Sequence, residues 1–210
     1  MAELDWLFTV ETFGSQYPLP QHDVKVRPKK WALETARAAA ANSPYQPVSD
    51  GEVALVANDL IWQLARYRSV PQADFADAWI SEPRFGVDAL SWMTRLTTDG
   101  ALSGVQDVAG FSTYPGELAG PRDIQLKQYP AGESAIAFAL VKSAFNNEPQ
   151  EVRHLDHYLF PSEKPGFVIV LHFEWVDWQD DDAIKGTADD IMSSLAIEAA
   201  PTVPRASFLR

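Results

Sequence analysis

Glu151-Val-Arg-His154-Leu-Asp156-His157-Tyr-Leu-Phe160-Pro-Ser-Glu163-Lys-Pro-Gly166-Phe-Val-Ile-Val-Leu-His172-Phe-Glu174-Trp-Val176 reads as two strands and the turn that joins them. In its second half the odd positions Phe167, Ile169, Leu171, Phe173 and Trp175 are all apolar. The even positions Val168, Val170, His172, Glu174 and Val176 are mixed. A period of two is the mark of a strand with unlike faces. Ser162-Glu163-Lys164-Pro165-Gly166 supplies the turn. A third run of the same kind precedes them, across Asn146-Asn147-Glu148-Pro149. Strands over 134–145, 151–160 and 166–176 with short polar connections predict an antiparallel meander.

The flanking segments add helices and more strands. After the meander, Asp180, Asp181 and Asp182 stand where negative charge favours a helix N-terminus. Ile184, Ala188, Ile191 and Leu195 follow at helical spacing. Before it, 124–129 reads as a short strand and 104–111 as a possible one. Phe75 to Ile80 and Val87 to Leu96 form a strand pair around the turn Glu82–Gly86. Further back, Ser49-Asp50-Gly51-Glu52 matches a capping box. Val53, Val56, Ala57, Leu60 and Leu64 then make one apolar helical face. Pro28 suits a first helical position, so 29–42 is a second helix. Trp6, Leu7, Phe8, Val10 and Phe13 are too many apolar residues for a free tail. Residues 1–27 therefore read as an arm packed on the domain, with a strand near 6–13. The single domain spans 28–197, and 198–210 is a flexible tail. Helices set apart from an antiparallel sheet define an α+β fold. The expected sheet has five to seven strands, with helices packed on its faces.

Composition narrows the function. The chain has 210 residues, enough for a sizeable core, and no cysteine. Thiolate catalysis, disulfides and Cys-ligated metals are excluded. The formal net charge of −12 disfavours nucleic acid, whose phosphates it repels. No apolar run approaches the roughly 18 residues of a membrane helix. The opening Met1-Ala-Glu-Leu-Asp-Trp6 is acidic where a signal peptide is basic. The expected setting is cytoplasmic, without a membrane partner.

The stretch 129–197 resembles the PsbP-like fold of LpqN-type actinobacterial proteins of unknown function. The residues that carry the likeness are Tyr129-Pro-Ala-Gly-Glu133, His157-Tyr-Leu-Phe-Pro161, Gly166-Phe-Val-Ile-Val-Leu-His-Phe173 and the closing Ile191-Met-Ser-Ser-Leu195. The resemblance implies an α/β/α sandwich. It also implies a non-enzymatic role, since PsbP-like proteins act mainly as adaptors, secretion chaperones or assembly factors.

Three groups of residues could carry chemistry. If the hairpin turn is symmetric about Glu163, partner numbers sum to 326 and His154 opposes His172. Asp156 and Glu174 then share their face, while His157 points the other way. Two histidines and a carboxylate (His154, His172, Glu174) suit zinc or iron. A sheet face that is half wet accounts for the same residues without a ligand, and a one-residue slip would undo the pairing. Asp177, Asp180, Asp181 and Asp182 lack the spacing of a calcium loop, and the helix dipole accounts for them. Of the tryptophans, most are expected in the core. Trp178, in a polar turn, is a candidate protein contact. No nucleophile or phosphate-loop motif is present, so no residue is assigned a catalytic role and no cofactor is expected.

The leading expectation is a non-enzymatic protein-binding module: a chaperone, immunity-like or secretion-associated adaptor for a basic partner. The alternatives are a metal-dependent hydrolase at the histidine cluster, or a self-associating structural subunit built from the N-terminal arm and an exposed sheet edge.

Overall fold

The computed structural model describes residues 6–9, 16–21, 24–45, 47–69, 73–81, 85–97, 104–110, 116–145, 147–162 and 166–199. Its first elements are β1 (Trp6–Thr9), β2 (Gln16–Pro18), α1 (Pro28–Asn42), α2 (Asp50–Ser69), β3 (Ala73–Ser81) and β4 (Gly86–Thr97). A 3₁₀ turn (Val105–Gly110) leads to β5 (Glu117–Leu118), β6 (Asp123–Tyr129), β7 (Gly132–Phe145), β8 (Glu148–Pro161) and β9 (Phe167–Trp175). A short 3₁₀ turn (Trp178–Asp180), α3 (Asp181–Ser194) and β10 (Ala196–Ala199) close the chain.

The meander β7-β8-β9 is the centre of an eight-stranded antiparallel sheet. Its order is β2-β3-β4-β9-β8-β7, and β5 and β6 both pair with the remaining side of β7. The sheet exceeds the five to seven strands expected because β2 and β5 are too short to show a period. β1 and β10 form a separate two-stranded ribbon. β10 carries regular structure to Ala199, two residues into the expected tail, whereas 200–210 and 10–13 lie outside the described residues. The stretch read as a strand near 104–111 is a 3₁₀ turn instead. At a spacing of three, Val105 and Val108 share one side of the 3₁₀ helix. Both are buried.

The helices follow their local chemistry. α1 opens on Pro28 and buries Ala32, Ala36 and Ala39. At α2 the Glu52 carboxylate accepts from the Ser49 amide at 2.8 Å, and the Ser49 hydroxyl accepts from the Glu52 amide at 3.3 Å. That is the reciprocal capping box read from the sequence. Asp177 caps the turn before α3 by accepting from the Gln179 amide. Asp181 accepts from the Trp175 indole at 2.8 Å and lies 2.7 Å from the Arg153 guanidinium. The acidic run is therefore engaged in holding the start of α3.

Both faces of the sheet are covered, which gives three layers. On one face Val56, Leu60 and Leu64 of α2 and the alanines of α1 pack on Ala76, Ala78, Leu90 and Trp92. On that same face the turn carrying Val105 and Val108 covers Ala135, Ala137, Tyr158, Val168 and Val170. On the other face Ala188, Ile191 and Met192 of α3 close over Leu155, Leu159, Ile169, Leu171, Phe173 and Trp175. The even face of β9, expected to be half wet, is thus largely buried, because α2 and the 3₁₀ turn lie on it. Among the described residues no helix is long and apolar enough to cross a membrane.

Candidate functional site

The hairpin β8–β9 pairs Asp156 with His172 and His154 with Glu174. The partner numbers sum to 328, not 326. Gly166 is the reason: its φ of 99° is a left-handed conformation that glycine tolerates. It belongs to the turn, so β9 starts at Phe167. A shift of two leaves the parity intact. His154, Asp156, Tyr158, His172 and Glu174 still share one face, while the two histidines become diagonal neighbours with ring centroids 6.1 Å apart.

Asp156 is the hub of this group. Its Oδ1 accepts from His154 Nε2 at 2.9 Å and His172 Nδ1 at 2.5 Å, and its Oδ2 accepts from the Tyr158 hydroxyl at 3.0 Å. On its other nitrogen, His154 Nδ1 donates to Glu174 Oε1 at 3.1 Å. Arg66, reaching down from the last turn of α2, donates to the same oxygen at 2.6 Å and to the Ala144 carbonyl at 2.9 Å. The second Glu174 oxygen is buried and has no hydrogen-bond partner. His172 Nε2 lies 3.3 Å from the Thr94 hydroxyl, and the Trp92 ring stacks on His172 with centroids 4.9 Å apart.

The electrostatics follow from this wiring. Burial alone would push the His154 imidazole down. The Asp156 and Glu174 carboxylates on its two nitrogens overcome that and carry it up to about 10. Burial would also raise the two acids. His154 and His172 hold Asp156 far below the usual carboxylate range, and His154 with Arg66 do the same for Glu174. The two carboxylates are thus matched by the Arg66 guanidinium and the histidine rings around them, which lets charges sit at a helix–sheet interface.

The structure therefore brings together His154, His172 and Glu174, as the sequence pattern proposed, but places Asp156 between the histidines and Glu174 behind His154. Arg66 and Thr94 were missed. Arg66 is 108 residues from Glu174, and nothing in its local sequence marks it as inward-facing. His157 lies on the opposite face, as its parity required.

That opposite face holds a second polar group. The Tyr129 hydroxyl donates to Asp189 Oδ1 at 2.5 Å and lies 3.3 Å from His157 Nδ1, while the Lys127 ammonium also binds Asp189. Lys127, His157 and Asp189 border a cleft of about 320 Å³ between the sheet and α3, lined also by Phe138, Leu155 and Lys185. Burial holds His157 down at about 4, so its ring is neutral. Burial raises the Tyr129 hydroxyl, and its bond to Asp189 raises it further.

Two features lie at the surface, apart from these clusters. Trp178 is 66% exposed in its 3₁₀ turn. β6 is an edge strand: among the described residues it pairs with β7 alone. Its Ile124 and Leu126 are 40% and 57% exposed, and Leu118 of β5 is 41% exposed. The register puts Leu118, Ile124 and Leu126 opposite Val141, Ala137 and Ala135, on one face of the sheet. Tyr129 and Gly132 flank a two-residue turn, so they exchange hydrogen bonds, and alternate residues back along β6 do the same. The backbone groups of Ile124, Leu126 and Gln128 therefore point away from β7.

No family model and no curated protein matches the chain. Among solved structures it is similar to LpqN of Mycobacterium tuberculosis, described as involved in cell envelope biogenesis. The identity is 11% over 93% of this chain and 86% of that one, with a TM-score of 0.41. LpqN is of the type that the pattern over 129–197 resembles, but a likeness this weak carries no functional argument and transfers no residue.

Proposed function

We propose that the chain is a non-enzymatic protein-binding module that adds an extended segment of a basic partner to β6. The observation that carries this reading is the open β6 edge, apolar on one face. Exposed edges are ordinarily blunted by proline, bulges or inward charges, because they otherwise template strand pairing. β6 has no proline, and its register with β7 is unbroken. Its charged residues Asp123 and Lys127 alternate with Ile124 and Leu126, so the apolar face is left bare. Strand addition uses such an edge: backbone groups supply affinity, and alternate side chains fill apolar sites. A second copy is the weaker occupant. It would bring its own charge of −12 against an equal one, whereas a basic segment is steered in.

The test uses Leu126→Pro beside Leu126→Ala. Proline removes an amide that β7 does not use, and edge strands tolerate it. Partner capture from the native host, mapped by hydrogen exchange, should protect residues 123–129 in the wild-type complex. Leu126→Pro should abolish capture with the melting temperature preserved, Leu126→Ala should weaken it, and Leu55→Lys on exposed α2 should leave it intact. Failure to capture any partner refutes the reading. So does capture that Leu126→Pro leaves unchanged.

A further inference from the structure

The group on the α2 face of the sheet has an arrangement that a salt-bridge network does not require. His154 Nε2, Asp156 Oδ1 and His172 Nδ1 lie within 4.8 Å of one another. Both nitrogens are aimed at the single oxygen Asp156 Oδ1. Each of the three side chains is also held from behind by a different group. His154 uses its other nitrogen on Glu174, His172 faces Thr94 with its other nitrogen, and Asp156 uses its other oxygen on Tyr158. Metal-ligating histidines are oriented in this way, with the distal ring nitrogen on a carboxylate or other acceptor. Glu174 is in turn fixed by Arg66.

We propose that His154, Asp156 and His172 bind one divalent transition-metal ion, zinc or iron, with Glu174, Thr94 and Tyr158 as the groups that orient the ligands. This is a site of two histidines and one carboxylate, with coordination positions left for water or a further ligand. The ion takes the place of the two N–H hydrogens that now point at Asp156 Oδ1. Bonds of about 2.0 Å in a tetrahedron set ligand atoms about 3.3 Å apart. The separations of 2.9 and 2.5 Å then open by about 0.4 and 0.8 Å. His172 is the most exposed of the three at 18%, against 3% and 2% for His154 and Asp156, so the ion enters past His172. Imidazole donors select against calcium and magnesium, which prefer an all-oxygen shell.

The experiment is a cobalt(II) titration of the full chain after chelator treatment and dialysis, read by visible d–d absorption and followed by displacement with zinc. The expected result is one ion per chain, with no response to magnesium or calcium. His172→Ala, at the most exposed ligand, should abolish the absorption while circular dichroism stays native. Glu174→Gln should weaken binding by about 10–100-fold without abolishing it, as expected for an orienting group. Absence of one-to-one cobalt or zinc binding by the folded chain overturns the proposal. A His172→Ala protein that titrates like the wild type overturns it too, and complete loss in a folded Glu174→Gln protein overturns the ligand assignment. None of these outcomes depends on β6, so the site and the docking edge stand or fall separately.

Discussion

Replacing Arg66 by Met should destabilise the fold by uncovering a buried charge. Arg66 carries the guanidinium that faces Glu174, whose side chain is 0% exposed. Met keeps the aliphatic stem and its packing but removes the 2.6 Å contact to Glu174, the bond to the Ala144 carbonyl and the position over the Trp62 ring. Breaking a buried pair from one side costs about 3–5 kcal/mol, because the remaining charge is uncompensated. His154 still donates to the same Glu174 oxygen at 3.1 Å, which places the cost near the lower figure, about 3 kcal/mol. In a chain of this length that lowers the melting temperature by about 6–12 °C. Urea unfolding of the chelator-treated protein measures the free energy directly, without a metal contribution. A double-mutant cycle with Glu174→Gln isolates the pair, and the Arg66→Met/Glu174→Gln protein should be more stable than Arg66→Met alone. A loss below about 1 kcal/mol, or additive behaviour in the cycle, would refute the view that Arg66 neutralises this site.

Other consequences follow from single groups. His157 is held near 4 against an ordinary 6.5, so the unfolded chain binds more protons between those values. Its contribution is complete above pH 6.5 and is lost as pH falls toward 4, by at most about 3 kcal/mol. The difference in stability between wild type and His157→Gln should shrink over that window, and a pH-independent difference would contradict the assignment. Asp77 runs the other way: burial pushes it up to about 6 from 3.8, against the hydrogen bond from Gln16. It is better tolerated below 3.8, and stability is lost as pH rises through 6, so Asp77→Asn should stabilise at pH 7, by at most about 3 kcal/mol, and not at pH 3.5. Gly132 has a φ of 157°, and a Cβ there would stand 2.1 Å from the Phe160 carbonyl oxygen. Gly132→Ala should therefore cost about 2 kcal/mol or more by forcing β7 and β8 apart, visible as a lower urea midpoint.

The meander was legible because period-two patterning needs only local sequence, and its parity placed four polar residues of β8 and β9, His154, Asp156, His172 and Glu174, on one face. The exact register was not, because it turned on whether Gly166 ends the turn or begins the strand. The start of α2 could be read from Ser49 and Glu52, which satisfy each other within one turn. Arg66 and Asp189 could not, since each meets its partner only through the angle at which a helix docks on the sheet. The 104–111 segment was misread as a strand because it is poorly periodic, and a short 3₁₀ turn leaves no clear pattern in the sequence. The bare apolar face of β6 was hidden for another reason: Ile124 and Leu126 alternate like core residues, and only the topology leaves them on an outer edge.

The most direct test of the docking edge is amide hydrogen exchange along β6, residue by residue, in the free chain and in the complex. The account predicts fast exchange at Ile124, Leu126 and Gln128 in the free monomer, beside protected Gln125 and Lys127, and protection of all five once the partner is bound. Protection of the three outward amides in the free monomer, or their continued fast exchange in the complex, would contradict it.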